Sequence, residues 1–116
     1  MDSSQLSVSA LWLIDQIGAA TPPRIIDVRK IPAFEASGQI VSGAHWHDHE
    51  NVESWASEYQ SGDELIVYCV HGHEVSQNAA TKLCALGLNA RFVEGGFAAY
   101  EEAGGKVAPA PKEAQS

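Results

Sequence analysis

Apolar and polar positions follow two rhythms along this chain, the three-to-four-residue period of amphipathic helices and short unbroken runs of buried strands. Ser9 suits a helix N-cap, and Leu11, Ile14 and Ile17 behind it share one face until Gly18, Pro22 and Pro23. Residues 24–28 are β-branched and flanked by prolines, which predicts a strand, with a short helical piece over 32–37 and a brief strand over 43–46. Val52, Trp55, Ala56 and Tyr59 recur at helical spacing before the Ser61, Gly62, Asp63 break. Residues 64–68 form a nearly continuous apolar run, the pattern of a strand covered on both faces. Residues 74–86 predict a helix with Val75, Ala79, Leu83 and Leu86 in one stripe and Gly87 as a left-handed cap. A strand over 91–93 follows, then a helix that starts at Gly95 and Gly96 and stops at Gly104 and Gly105.

Strands alternating with helices imply an α/β fold with a mainly parallel sheet of about four to five strands and helices on both faces, because parallel neighbours need crossover connections. With 116 residues, 45% of them hydrophobic, there is material for one core, so one domain is expected over residues 1–106. Residues 107–116, with Pro109 and Pro111, read as a mobile tail.

A net charge of -8 and the absence of a basic stripe argue against nucleic acid and anionic membrane surfaces as partners. The acidic, polar start lacks the cationic and apolar segments of a secretory signal, and no apolar run is long enough to span a bilayer. A cytoplasmic protein is expected, with Cys69 and Cys84 as separate thiols.

Cys69 closes the apolar strand and opens the loop Cys69, Val70, His71, Gly72, His73, Glu74 ahead of a helix. A strand, a glycine-containing turn and a helix N-terminus aim successive backbone N–H groups inward, a nest that favours a thiolate or a persulfide anion. Gly72 is expected to let the backbone curl towards the sulfur. Taken alone, a cysteine at a strand end is equally well an ordinary buried residue.

Three motifs in order resemble the rhodanese family and cover most of the chain. Arg24, Ile25, Ile26, Asp27, Val28 and Arg29 are similar to its first signature, with Phe34 and the pair Gly43 and Ala44 behind it. Residues 65–74 resemble its catalytic strand and loop, and residues 93–100 its closing signature. The resemblance implies a rhodanese fold and a sulfurtransferase without metal or cofactor. Cys69 would take sulfane sulfur from a small anion such as thiosulfate and pass it to cyanide, a thiol or a protein acceptor. It also implies that Val70, His71, Gly72, His73, Glu74 and Val75 bind substrate, while Asp27 and Arg29 tie loops together near the site. The string from Cys69 to Gln77 is further similar to rhodanese-like proteins near chromate-resistance functions, which implies as alternative an anion- or metal-sensing carrier with little turnover.

Related phosphatases and arsenate reductases use a longer loop ending in arginine, and Val75 stands at that place. The loop holds no arginine or lysine and carries Glu74. Fixed positive charge for a dianionic donor is therefore scarce, and His71 and His73 add some only when protonated. The five histidines fall in two groups, His45, His47, His49 and His71, His73, both near strand ends and expected around Cys69 as polar loop residues rather than as metal ligands. Cys84, beside Leu83, is expected in or near the core.

Overall fold

The computed structural model describes residues 6–110. Ser9 accepts a hydrogen bond from the Trp12 N–H at 3.0 Å and so caps α1 (Ala10–Ile17). The face that α1 buries keeps Ile14 and Ile17 of the expected stripe but not Leu11. Ala10 and Leu13 are buried with Ile14 and Ile17 packed beside them, and Leu11 is 69% exposed. Positions 10, 13, 14 and 17 satisfy the helical repeat better than 11, 14 and 17, because they widen the stripe to two neighbouring rows.

Five strands make the central sheet: β1 (Ser7–Val8), β2 (Arg24–Asp27), β4 (His45–Trp46), β5 (Glu64–Tyr68) and β6 (Asn89–Val93). Their order is β1-β6-β5-β2-β4, and every neighbouring pair is parallel. The expected mainly parallel α/β architecture is therefore present, with β5 in the middle. Consecutive residues of the inner strands face opposite ways, as the two-residue period requires. Ile25, Ile66 and Tyr68 pack with Leu13, Phe34, Phe97 and Tyr100, the side of α1, α2 (Ile31–Ser37) and α5 (Gly96–Glu102). Ile26, Leu65 and Val67 pack with Val52, Trp55, Ala80 and Leu83, the side of α3 (Val52–Ala56) and α4 (Glu74–Ala85). That double cover explains the unbroken apolar run of β5.

Several elements depart from the sequence reading. Strand β3 (Gln39–Val41) pairs antiparallel with β7 (Val107–Pro109), so the part of the expected tail at 107–109 is a paired strand; residues 111–116 lie outside the described residues. Pro109 sits at the end of that ladder, where its missing N–H costs least. Helix α3 is a single turn and a half preceded by a 3₁₀ turn at His49–Asn51, and Tyr59 lies beyond it. Along α4 the buried positions are Ser76, Ala79, Ala80 and Leu83, while Leu86 is half exposed past its end. Gly87 does take a left-handed conformation, φ 89°, and the Leu88 N–H returns to the Leu83 carbonyl at 3.0 Å.

One buried carboxylate joins the ends of three strands. Asp27 is fully buried and receives the Arg29 guanidinium through Nε and Nη2 at 2.7–3.1 Å, together with the Tyr68 hydroxyl at 3.0 Å. Arg29 also donates to the Gln39 carbonyl at 2.6 Å, and the Tyr68 oxygen accepts the Val41 N–H at 3.1 Å, which ties β3 to β2 and β5. Burial, then the charge of Asp27, hold the Tyr68 phenol well above its ordinary pKa, so it remains a donor. Asp27→Ala strands the Arg29 charge in the core and is expected to lower unfolding free energy by about 3–5 kcal/mol. Urea denaturation checks this, and a loss under about 1 kcal/mol contradicts a load-carrying ion pair.

Candidate functional site at the end of the central strand

Cys69 follows β5 directly and is 6% exposed. The helix behind the loop starts at Glu74, as the sequence predicts. His73 already occupies the N-cap position, so Glu74 and Val75 belong to the first turn of α4, and the backbone turns only through residues 69–73. Among the described residues, the N–H groups of residues 70–75 donate to no carbonyl or side chain. Donors left unpaired by the protein require water or an anion, and a helix N-terminus adds to the attraction for negative charge.

Two glycines fix this loop against the turn between β6 and α5. A Cβ on Gly72 would lie 2.6 Å from the Gly95 nitrogen and the Val93 oxygen; a Cβ on Gly96 would lie 2.5 Å from the Cys69 oxygen and 2.6 Å from the Gly72 nitrogen. Both glycines also have positive φ, 71° and 61°. The close approach that needs Gly72 is therefore to backbone across the loop, which is a correction to the expected approach to the sulfur. Phe97 and Ala98 N–H groups complete the junction by donating to the Cys69 and Val70 carbonyls at 2.8 and 3.0 Å.

Ser76, which sequence reasoning did not single out, is fully buried with its Oγ 3.2 Å from Cys69 Sγ. The thiol donates to it, and the hydroxyl faces the His73 carbonyl at 3.5 Å. A hydroxyl rotor can turn and donate to a thiolate instead. The signal was present in the buried repeat 76, 79, 80, 83, which puts a lone polar residue on an otherwise apolar face. Gln77 braces the loop from the next position, its Nε2 donating to the Gly72 carbonyl at 3.0 Å.

A family model described as a rhodanese-like domain matches residues 9–103. The chain belongs to the rhodanese-like family. Among solved structures, a rhodanese-related protein from Thermoplasma volcanium is 27% identical, with 88% of this chain and 96% of that one covered and a TM-score of 0.75. A possible tyrosine phosphatase from Rhodopseudomonas palustris, 24% identical, covers 90% of this chain and 86% of its own at a TM-score of 0.80. A thiosulfate sulfurtransferase from Pseudomonas aeruginosa, 17% identical at a TM-score of 0.76, covers 91% of this chain but only 20% of its own length. The last two likenesses show the fold alone. No curated protein sequence matches closely enough to add to this.

Within this rhodanese-like domain the remaining candidates separate. His71 and His73 are exposed on the loop, their rings 6.1 Å apart. The other histidines do not gather round Cys69. His45 is exposed on β4, and His47 turns inward, stacked on Trp55 at 4.5 Å with Nε2 3.0 Å from the Tyr59 hydroxyl. His49 neighbours Asp48 and Glu50, but the Asp48 carboxylate already caps the 3₁₀ turn through Glu50 N–H and Asn51 Nδ2, both at 2.9 Å. Arg29 is held by Asp27 and lies 4.4 Å over the Phe97 ring, which leaves it behind the loop as a structural cation. Cys84 contacts the Ala90 carbonyl near the far end of α4. Eight helical residues separate it from Ser76, about 12 Å, so it cannot reach Cys69.

Two measurements follow from this packing. Gly96→Ala pushes a methyl into the Cys69 carbonyl from a strained φ and is expected to cost about 2–4 kcal/mol in thermal or urea unfolding; a neutral substitution contradicts the interlock. Burial, opposed by Glu58 and reinforced by His45, lowers the His47 pKa, and its Nδ1 has no partner among the described residues. The unfolded chain then takes up the proton first, so this contribution to stability is intact above about pH 6.5 and falls as pH drops through that value towards the lower native one. His47→Asn should flatten the stability slope between pH 7 and 5 by up to about 1.4 kcal/mol per pH unit. An unchanged slope refutes a buried neutral imidazole.

Proposed function

We propose that this rhodanese-like domain is a sulfurtransferase of the cytoplasm in which Cys69 carries sulfane sulfur as a persulfide. The observation that supports it is a buried cysteine at the head of a loop whose N–H groups, over residues 70–75, have no acceptor among the described residues. In the first half-reaction the Cys69 thiolate attacks the outer sulfur of a donor. With thiosulfate, the sulfur–sulfur bond breaks and its electron pair leaves with sulfite, giving the Cys69–S–S⁻ anion. In the second, cyanide or an acceptor thiolate, free or on a protein, takes the outer sulfur and the electron pair returns to Cys69.

The loop's N–H groups and the α4 N-terminus stabilise the persulfide anion, and Ser76 turns its hydroxyl to donate to the inner sulfur. His71 and His73 add positive charge when protonated, and Gly72, Glu74 and Val75 with Val70 shape the donor site. Because Cys84 is out of reach, the persulfide is released to an external acceptor and no internal disulfide competes. The absence of arginine or lysine from the loop makes thiosulfate a modest donor.

Reduced protein incubated with sulfane donors should gain one sulfur atom on Cys69 by intact-mass and peptide mass spectrometry, and cyanide should remove it. Cys69→Ser should abolish the adduct, and Ser76→Ala should slow loading about tenfold for the loss of one hydrogen bond to a charged group. No adduct from any donor, or an adduct that persists in Cys69→Ser, overturns the proposal.

A further inference from the structure

The structural role of Arg29 uses only part of its guanidinium. The group meets Asp27 side-on through Nε and Nη2, and Nη2 also donates to the Gln39 carbonyl. Side-on pairing turns Nη1 away from the carboxylate, and among the described residues Nη1 donates to nothing. Among those residues the one solvent-inaccessible side-chain nitrogen or oxygen without a partner is His47 Nδ1, so solvent reaches Arg29 Nη1 although the residue as a whole is 2% exposed. The opening is a groove of about 400 Å³ between α2 and α5 that Arg29 lines.

Phe97, the other buried residue of the lining, has the guanidinium 4.4 Å over its ring. Ala33 and Ala36 of α2 and Ala98 of α5 leave room that larger side chains would fill, and the groove meets the Cys69 loop at Val70. Glu101 stands one helical turn beyond Phe97 on the same face of α5, about 6 Å along the axis. Each of these features selects something in a ligand. A donor set in a nearly closed surface calls for an acceptor. Asp27 already balances the guanidinium charge and Glu101 repels a second carboxylate, so a neutral carbonyl serves better than an anion. Val70 and Phe97 among the alanines suit an aliphatic side chain, whereas the exposed Glu101 suits a cation, which a net charge of -8 also attracts.

An extended chain advances roughly 7 Å over two residues and points alternate side chains the same way, which matches the spacing from Phe97 to Glu101. We propose that this groove docks an extended segment of a partner protein. One backbone carbonyl of the segment accepts from Arg29 Nη1, an aliphatic side chain packs on Val70 and Phe97, and a lysine or arginine two residues away faces Glu101. The inference does not rest on the chemistry of Cys69.

An NMR titration of the whole protein with the capped peptide acetyl-Ala-Leu-Ala-Lys-Ala-amide tests this. The amides of Val70, Phe97, Ala98 and Glu101 and the Arg29 Nη1 resonance should shift together and saturate, at a concentration about tenfold below that needed by the same peptide with glutamate for lysine. N-acetyl-lysine amide, which brings the cation without the aliphatic neighbour, should bind about tenfold more weakly than the peptide. In Glu101→Gln the preference for lysine should fall to about two- to threefold. Ala36→Leu, an exposed exchange of two good helix formers, should weaken peptide binding about tenfold with the melting temperature unchanged. Shifts confined to another face, equal binding of the lysine and glutamate peptides or of the single residue, a preference that survives Glu101→Gln, or binding indifferent to Ala36→Leu each overturns the inference.

Discussion

The buried Asp27 carboxylate is the constraint on which the site end of the molecule depends. Its partners come from three directions: Arg29 from its own strand end, Tyr68 from β5, and β3 through the Gln39 carbonyl and Val41 N–H that those two side chains bind. A buried carboxylate is tolerable only when charge and hydrogen bonds surround it, and here the groups that satisfy it are the ones that must be aligned. Tyr68 precedes Cys69, so the network fixes the point from which the loop departs. The Arg29 guanidinium also lies over Phe97, the residue whose N–H holds the Cys69 carbonyl. Strand ends, loop and closing helix are thus one mechanical unit.

That unit explains how a sheet with covered faces exposes reactive chemistry at one edge. The parallel strands bring Asp27, Trp46 and Tyr68 level with one another, and the chain beyond each is free to turn. Gly72 and Gly96 let two turns touch backbone to backbone, and beside that contact the N–H groups of residues 70–75 have no acceptor among the described residues. Polar groups organised in advance around a place for charge reduce the reorganisation needed when charge arrives. Ser76 adds an adjustable donor beside the sulfur.

Much of this was legible in the sequence, and what was not has identifiable causes. The β5 run, the Ser9 cap, the α4 stop at Gly87 and the position of Cys69 follow from local pattern, which the chain obeys. Strands β1, β3 and β7 are two or three residues long and owe their existence to partners far along the chain, so no local period announces them. Leu11 and Leu86 misled the reading of the helical stripes because large apolar residues sit exposed where smaller ones, Ala10 and Ala80, are buried. His47 shares a loop with His45 and His49 but turns into an aromatic pocket with Trp55 and Tyr59, a contact that depends on α3 packing.

In the proposed persulfide, backbone N–H groups of the Cys69 loop hold a sulfane anion. A crystal structure of the protein after loading with a sulfane donor tests it most directly. Extra density bonded to Cys69 Sγ is expected, with the outer sulfur within hydrogen-bonding reach of at least two N–H groups from residues 70–75 and the Ser76 hydroxyl turned to the inner sulfur. An outer sulfur directed away from those groups, or sulfur carried on Cys84 with Cys69 unmodified, would contradict it.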